Sequence, residues 1–180
     1  MRNIFVLALV CCLSACYKTI DTPKSTSTDI ILAYPTGYIF NSLFSGLNYF
    51  DFANLNLSLS AQIDTVLFSA NIPDTANAGA TVTVGVNASL VAAYNGLSQQ
   101  VDTPHQVYVL MPSTCYTLVN TSGVITSSGG QAEVVFKIAF YPANFDPTVS
   151  YMLPISITNV SPSLPINQNM ETIYFHQMSQ

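Results

Sequence analysis

Apolar and polar residues alternate along several stretches of this 180-residue chain, and this period of two is the feature that most limits its possible folds. In one stretch Val134, Phe136, Ile138 and Phe140 occupy every second position, so a strand there has one apolar face. The same pattern predicts strands at residues 54–60, 66–72, 81–86, 106–110, 115–119, 151–158 and 171–176. About eight short strands of this kind indicate an all-β protein, a β-sandwich of about 7–9 strands.

One segment favours a helix over a strand. Asn87 is a favourable N-cap, Leu90, Val91 and Tyr94 fall on one helical face, and Gly96 can end the segment. Because the segment is short, it predicts a single helix that crosses between two strands.

Proline and glycine residues refine the strand predictions. Pro154 has no N–H to donate to a sheet, so the strand at 151–158 is expected at a sheet edge or with a bulge at this residue. Ser122-Gly123 and the Ser-Ser-Gly-Gly run at 127–130 are expected to be turns between strands.

The first residues have the features of a bacterial targeting segment. Arg2 provides a positive start, residues 4–10 are apolar, and small residues precede Cys16. The alternative is a transmembrane helix, but the apolar run at 4–16 has 13 residues, whereas a spanning helix needs about 20. Leu13-Ser14-Ala15-Cys16 resembles the lipobox of bacterial lipoproteins. The resemblance implies cleavage before Cys16 and attachment of lipid to its thiol.

This resemblance divides the chain into a signal peptide at 1–15, a lipidated tether at 16–29 and a β-sandwich domain at 30–180. The tether is rich in Thr, Ser and Lys and lacks periodicity, as a flexible linker does. Two or more acyl chains hold a protein on a membrane almost permanently. We therefore expect a membrane partner through the lipid on Cys16, at the outer membrane or cell surface.

Charge and cysteine content argue against several functions. The chain has 4 Lys and Arg against 9 Asp and Glu, a net charge of −5. So few cations cannot neutralise phosphates, which argues against a nucleic-acid partner. With the signal peptide removed and Cys16 lipidated, Cys115 is left without a disulfide partner. Its strand-like surroundings predict a buried, inert thiol.

Groups suited to catalysis or metal binding are few. The histidines are His105 and His176, and Asp102 with His105 supplies at most two of the three or four ligands that zinc needs. Several carboxylates lie in predicted turns, where they are expected to bond nearby backbone: Asp51, Asp64, Asp74, Asp102 and Asp146. We therefore expect no enzyme, no cofactor and no metal site.

An aromatic-rich segment spans residues 34–52, with seven Tyr and Phe residues. These rings either fill the core or form an exposed surface for a sugar or a protein. The chain has no Trp, the usual residue of sugar platforms, which favours the core. Alternation predicts that Phe50 and Phe52 are buried and that Tyr49 is exposed. If the segment binds a ligand, Tyr38 and Tyr49 are the candidate binding residues.

Three motifs resemble those of domain of unknown function 1735, found in bacterial lipoproteins. They are V-G-V-N-A-S-L-V-A-A-Y-N at 84–95, L-M-P-S-T-C-Y at 110–116 and Y-M-L-P-I-S-I at 151–157. The resemblance covers about residues 60–178. It implies an immunoglobulin-like β-sandwich in surface lipoproteins of glycan-degrading bacteria, often followed by a carbohydrate-binding or glycosidase module.

The resemblance implies a lipid-anchored accessory module of the cell surface. Glycans or other surface proteins are then the expected partners, in glycan capture or in a surface assembly. The alternative is a structural or adhesive, pilus-like subunit that polymerises through strand exchange. The sequence ends at Gln180, soon after the last predicted strand, so no second module is expected.

Overall fold

Two β-sheets enclose the main core in the computed structural model, which describes residues 29–34, 38–40, 51–55, 57, 61–72, 78–98, 107–128 and 131–178. The strands are β1 (Ile31–Ala33), β2 (Tyr38–Phe40), β3 (Asp51–Asn54), β4 (Asp64–Ile72), β5 (Thr81–Val86), β6 (Val109–Leu110), β7 (Tyr116–Leu118), β8 (Ser122–Val124), β9 (Thr126–Ser128), β10 (Gln131–Phe140), β11 (Tyr151–Ser161) and β12 (Thr172–Gln177). A helix, α1 (Ser89–Ser98), follows β5, and a 3-10 turn (Pro142–Asn144) follows β10. The all-β sandwich with one short helix is confirmed, and very short strands raise the strand number above the predicted 7–9.

The five-stranded sheet has the order β1-β4-β10-β7, with β9 also paired to β10. The seven-stranded sheet has the order β2-β3-β12-β11-β5-β8, with β6 also paired to β11. Pairing is antiparallel except between β3 and β12 and between β6 and β11. Strands β4 and β10 form the longest ladder of the five-stranded sheet, from Ala132↔Ile72 to Phe140↔Asp64.

The alternation seen in the sequence determines which side chains form the core. In β10, Phe136, Ile138 and Phe140 are completely buried, while Glu133 and Lys137 face solvent. The matching positions of β11 and β12 supply the opposite wall of this core. One face of each strand therefore packs inward, as the period of two predicts.

Helix α1 covers part of the outer face of the seven-stranded sheet. Val91 and Tyr94 belong to a second apolar cluster with Met152 of β11 and Tyr174 of β12. This cluster explains why β11 is buried on both faces over its first seven residues. The helix begins at Ser89, two residues after the predicted N-cap at Asn87. In the part of the chain that the structure describes, no helix is long and apolar enough to cross a membrane.

The expected end of α1 at Gly96 is wrong by two residues, because the helix continues to Ser98. Glycine lowers helix stability without forbidding helix, and packing of the apolar face outweighs this cost.

At the start of α1, Leu90 N donates to the carbonyl of Asn87 (3.1 Å), and the Asn87 amide oxygen accepts from Ser89 Oγ (2.7 Å).

The expectation for Pro154 is also wrong. Strand β11 is central, between β12 on one side and β6 and β5 on the other, and its bulge lies between Ile157 and Asn159. The carbonyl of Pro154 accepts from Asn87 N on the β5 side (3.0 Å). In an extended residue the nitrogen points to the same side as the carbonyl, so the nitrogen of Pro154 also faces the β5 side. On this side β11 pairs with β6 up to Met152 and with β5 from Ile155 onward, and Pro154 lies between the two pairings. The missing N–H therefore interrupts no ladder.

The turn expected at Ser122-Gly123 is a strand, β8, which pairs with β5. A side chain at residue 123 would collide with the Cγ2 methyl of Val134, so the glycine allows close packing between the sheets. The expected turn at 127–130 is in part a strand as well, because Thr126–Ser128 forms β9. Residues 129 and 130 lie outside the described residues.

Of the strand expected at 54–60, Asn54 lies in β3, which begins earlier, at Asp51, and residues 56 and 58–60 lie outside the described residues. Leu55 and Leu57 follow β3 and are buried, but not as part of a strand. Of the strand expected at 106–110, the residues that the structure describes form strand at Val109–Leu110, in β6. Burial of apolar residues thus extends past the hydrogen-bonded strand, which alternation alone cannot distinguish.

Candidate functional site

A cleft of about 230 Å³ opens at the end of the sandwich where β10 connects to β11 and where β12 ends. We call this feature the end cleft. Its walls come from the segment after β3, from the β10–β11 connection (residues 141–150) and from the last residues of β12. The lining residues are Leu57, Pro142, Ala143, Phe145, Asp146, Pro147, Gln177 and Met178.

Hydrogen bonds hold the β10–β11 connection in one conformation. Tyr141 N donates to the carbonyl of Cys115 (2.9 Å), and the Asn144 side-chain amide donates to the carbonyl of Thr114 (2.6 Å). The thiol of Cys115 donates to the carbonyl of Asn144 (3.2 Å). Pro142 begins a 3-10 turn that Asn144 N closes by donating to Tyr141 O (2.9 Å). One wall of the end cleft is therefore preorganised.

Asp146 provides a carboxylate at the rim of the end cleft. Its Oδ1 accepts from the backbone N–H (2.9 Å) and the hydroxyl (2.7 Å) of Thr148. These bonds lower the pKa of the Asp146 carboxyl, so it is ionised at neutral pH. Asp146 is solvent-exposed, and its bonding to nearby backbone confirms the turn role expected for it.

Gln177 lies on the opposite wall of the end cleft. Its amide nitrogen donates to the carbonyl of Met178 (3.2 Å). Its Oε1 is buried and has no hydrogen-bond donor within the described residues. A buried acceptor left in this state is unfavourable by roughly 1–3 kcal/mol.

Phe145 and Met178 give the end cleft apolar surface. The Phe145 ring packs edge to face against Tyr151, with 5.7 Å between ring centroids, which fixes its orientation. Met178 is 46% exposed and leaves apolar surface accessible in the end cleft. The end cleft thus combines apolar walls with a carboxylate and an amide, the composition of a site for a small polar ligand.

Cys115 lies next to this wall but is buried, as predicted. Burial raises the pKa of its thiol, so the nucleophilic thiolate is disfavoured at neutral pH. Its role here is to hold the β10–β11 connection through the bond to Asn144.

A second polar cluster lies beneath α1. The hydroxyl of Tyr108 is 3.1 Å from Nδ1 of His176, and the two rings pack edge to face. Burial and, to a lesser extent, the neighbouring Tyr94 together raise the pKa of Tyr108 to about 12, and burial lowers the pKa of His176. Both groups are neutral at pH 7 and nearly inaccessible, so the cluster stabilises the fold and is no candidate for ligand binding.

Asn95 anchors this cluster to α1. Its amide nitrogen donates to Tyr108 O (2.7 Å), and its Oδ1 accepts from Tyr108 N (3.0 Å). The Tyr94-Asn95 pair at the end of the first motif therefore has a structural role. Tyr94 packs on the Tyr108 ring while Asn95 binds its backbone.

The residues proposed from sequence as sites fall largely outside the described part of the chain. Cys16, Tyr49 and Phe50 lie outside it, and Tyr38 and Phe52 are described only by their backbone, in β2 and β3. Asp74, Asp102 and His105 also lie outside it. Within the described residues, no group of three His, Cys, Asp or Glu residues could hold a metal ion.

Sequence reasoning missed the end cleft, except for Asp146 as a turn residue. The available signal was the run Pro-Ala-Asn-Phe-Asp-Pro at 142–147, where two prolines flank an aromatic and an acidic residue between two long strands. Gln177 and Met178 carried no signal, because their position opposite this run depends on the pairing of β11 with β12.

Comparison with known proteins gives a family and a fold. Residues 44–164 match the model of a family described as an N-terminal domain. No curated protein matches the chain in sequence. Solved structures from Bacteroides share the fold. Because their sequence identities to this chain are low, the likeness establishes the fold alone.

A candidate carbohydrate-binding protein of Bacteroides ovatus has a TM-score of 0.57 and 17% identity, over 72% of this chain and 35% of its own. EndoBT-3987 of Bacteroides thetaiotaomicron, solved with its Man5GlcNAc product, has a TM-score of 0.53 and 15% identity, over 71% and 28%. A multidomain protein of Bacteroides ovatus that includes domain of unknown function 1735 has a TM-score of 0.54 and 11% identity, over 80% and 42%. The chain spans less than half the length of each of these proteins.

Proposed function

The chain belongs to this family of N-terminal domains and carries a domain similar to domain of unknown function 1735, and from that we propose that it is a lipid-anchored, non-catalytic accessory module of the cell surface that serves glycan capture. The observation that supports this most is the occurrence of the same fold in proteins that handle glycans. One is a candidate carbohydrate-binding protein, and another was solved with a glycan product.

The end cleft favours binding over hydrolysis. A glycosidase needs two carboxylates, about 5–10 Å apart, on either side of the bond that is cleaved. Among the described residues that line the end cleft, Asp146 is the only carboxylate. A site of this composition can hold a sugar but has no acid–base pair to cleave it.

The anchor part of the proposal rests on Leu13-Ser14-Ala15-Cys16. Cells that express the full chain should incorporate labelled fatty acid into it, and Cys16→Ala should abolish both labelling and retention in the membrane fraction. Cys12→Ala is the matched control, because it removes a thiol from the same apolar segment and should keep both. A Cys16→Ala protein that still sediments fully with membranes would refute the anchor.

The glycan part is tested with an array of bacterial, plant and host glycans. The probe is the mature chain from Tyr17 onward, which lacks the leader and the lipidated cysteine but keeps every residue that the structure describes. Binding to at least one glycan class is the expected result. An array without binding would contradict glycan capture and would leave the anchor unaffected.

A further inference from the structure

We propose that the end cleft binds a single pyranose ring of a neutral glycan, with Asp146 accepting a hydrogen bond from one of its hydroxyl groups. This rests on the proposed function in glycan capture and assigns it a place on the molecule.

The volume fits one sugar ring. An apolar cavity of about 150 Å³ accommodates a benzene ring, and each water molecule occupies about 30 Å³. The end cleft, at about 230 Å³, therefore has room for one six-membered ring together with its hydroxyl substituents. A second ring would lie outside it, so the cleft suits a terminal or projecting residue of a glycan.

One acceptor at the rim of the end cleft lacks a donor. Asp146 uses Oδ1 for Thr148 and leaves Oδ2 to solvent. Hydroxyl groups of a sugar are donors that can reach such an acceptor without bringing a charge. The apolar side chains of Phe145 and Met178 offer surface for the C–H face of the ring.

A cationic side chain from a protein partner fits these features less well. Asp146 is fully exposed, and an ion pair at an exposed carboxylate adds little stability. An ammonium group would also leave the apolar walls without a matching surface. The bonds that fix residues 141–150 hold the site ready before the ligand arrives, which reduces the entropy lost on binding.

The experiment observes methionine methyl groups by NMR. The mature chain from Tyr17 onward contains Met111, Met152, Met170 and Met178. Met178 lies in the end cleft, whereas Met170 precedes the opposite end of β12 and serves as an internal control. Methyl glycosides of glucose, galactose, mannose and N-acetylglucosamine are added to millimolar concentrations. At least one should shift the Met178 signal saturably and leave the Met170 signal in place.

Variants then test the assignment. Ala143→Trp fills the end cleft and should abolish the Met178 response. Ala92→Trp makes the same change on the exposed face of α1 and should keep it.

Other outcomes would overturn the assignment. Met178 could stay unmoved by every glycoside, or Ala143→Trp could bind as the unchanged protein does. Butylammonium, a probe for a lysine side chain, could shift Met178 where the glycosides do not, and the cleft would then be a protein-binding site. A positive glycan array with an unmoved Met178 would place glycan binding elsewhere and leave the proposed function intact. If the array is negative but the Met178 signal shifts, the end cleft is still a sugar site and the proposed role in glycan capture is contradicted.

Discussion

Replacement of Phe175 by alanine is expected to remove a large part of the stability of the domain. Phe175 is fully buried in β12, and its ring centroid lies 5.6 Å from those of Phe68 and Tyr34 and 6.3 Å from that of Phe140. Phe68 and Phe140 belong to the opposite sheet, so this ring connects the two sheets.

The magnitude follows from the cavity and from the ring contacts. A buried Phe→Ala change destabilises a protein by about 3–5 kcal/mol, and each aromatic pair contributes about 0.5–1.5 kcal/mol beyond burial. With three ring contacts we expect the upper part of this range, about 4–5 kcal/mol, against a total of about 5–15 kcal/mol for a domain. At about 2–4 °C per kcal/mol, Tm should fall by about 8–20 °C.

Urea unfolding followed by far-UV circular dichroism, together with thermal melts, measures both quantities. Val135→Ala is the matched control, because Val135 lies on the solvent side of β10 and is 47% exposed. It should change stability by about 0.5 kcal/mol or less. Equal midpoints for Phe175→Ala and Val135→Ala would refute the assignment of Phe175 to the core between the sheets.

Two further predictions concern a helix anchor and the aromatic-rich segment. Asn95→Ala removes both bonds to the backbone of Tyr108 and should lower the free energy of unfolding by about 1–3 kcal/mol in urea titrations. Asn95→Asp keeps the acceptor but sets a carboxylate oxygen against the Tyr108 carbonyl and should cost at least as much; a much smaller loss than for Asn95→Ala would contradict the paired geometry. Phe50→Ala should lower the free energy of unfolding by about 3–5 kcal/mol while Tyr49→Ala barely alters it; negligible shifts in both thermal melts would favour a docking surface.

The strand pattern was predictable where one face of a strand meets solvent. In β10, the exposed Lys137 lies between the buried Phe136 and Ile138, because the outer face of this strand contacts solvent. The alternation of polar and apolar residues is therefore visible in the sequence. Strand β11 is buried on both faces, since α1 covers Met152. The neighbours of Pro154 therefore depended on where α1 and β6 dock, which no local pattern encodes.

The candidate site was less predictable than the fold, for a related reason. Asp146 could be assigned to a turn from its local sequence, because its bonds reach only two residues away. The cleft that it borders forms only when β12 pairs with β11 and brings Gln177 beside the β10–β11 connection. Gly123 was misread in the same way, since its role is contact with Val134 across the sandwich.

Stability should also depend on pH through His176. Burial lowers the pKa of His176 in the folded protein, whereas the unfolded chain has the ordinary value of about 6.5. Below about pH 6.5 the unfolded chain binds a proton that the folded protein does not, so the free energy of unfolding falls as the pH falls. It stops falling once the pH is below the folded pKa. Above about pH 7 both states are neutral, and this group adds no slope.

Urea titrations at pH 5, 6 and 7 test this pH dependence. Ordinary carboxyl groups titrate mostly below this pH range. The unchanged protein should lose stability toward pH 5, by no more than about 1.4 kcal/mol per pH unit for one group. His176→Gln has no imidazole to protonate and should lose less stability over the same range, whereas His105→Gln, the matched control, should keep the slope of the unchanged protein. If His176→Gln keeps the full slope as well, the pH dependence has another source and the buried contact between His176 and Tyr108 does not set it.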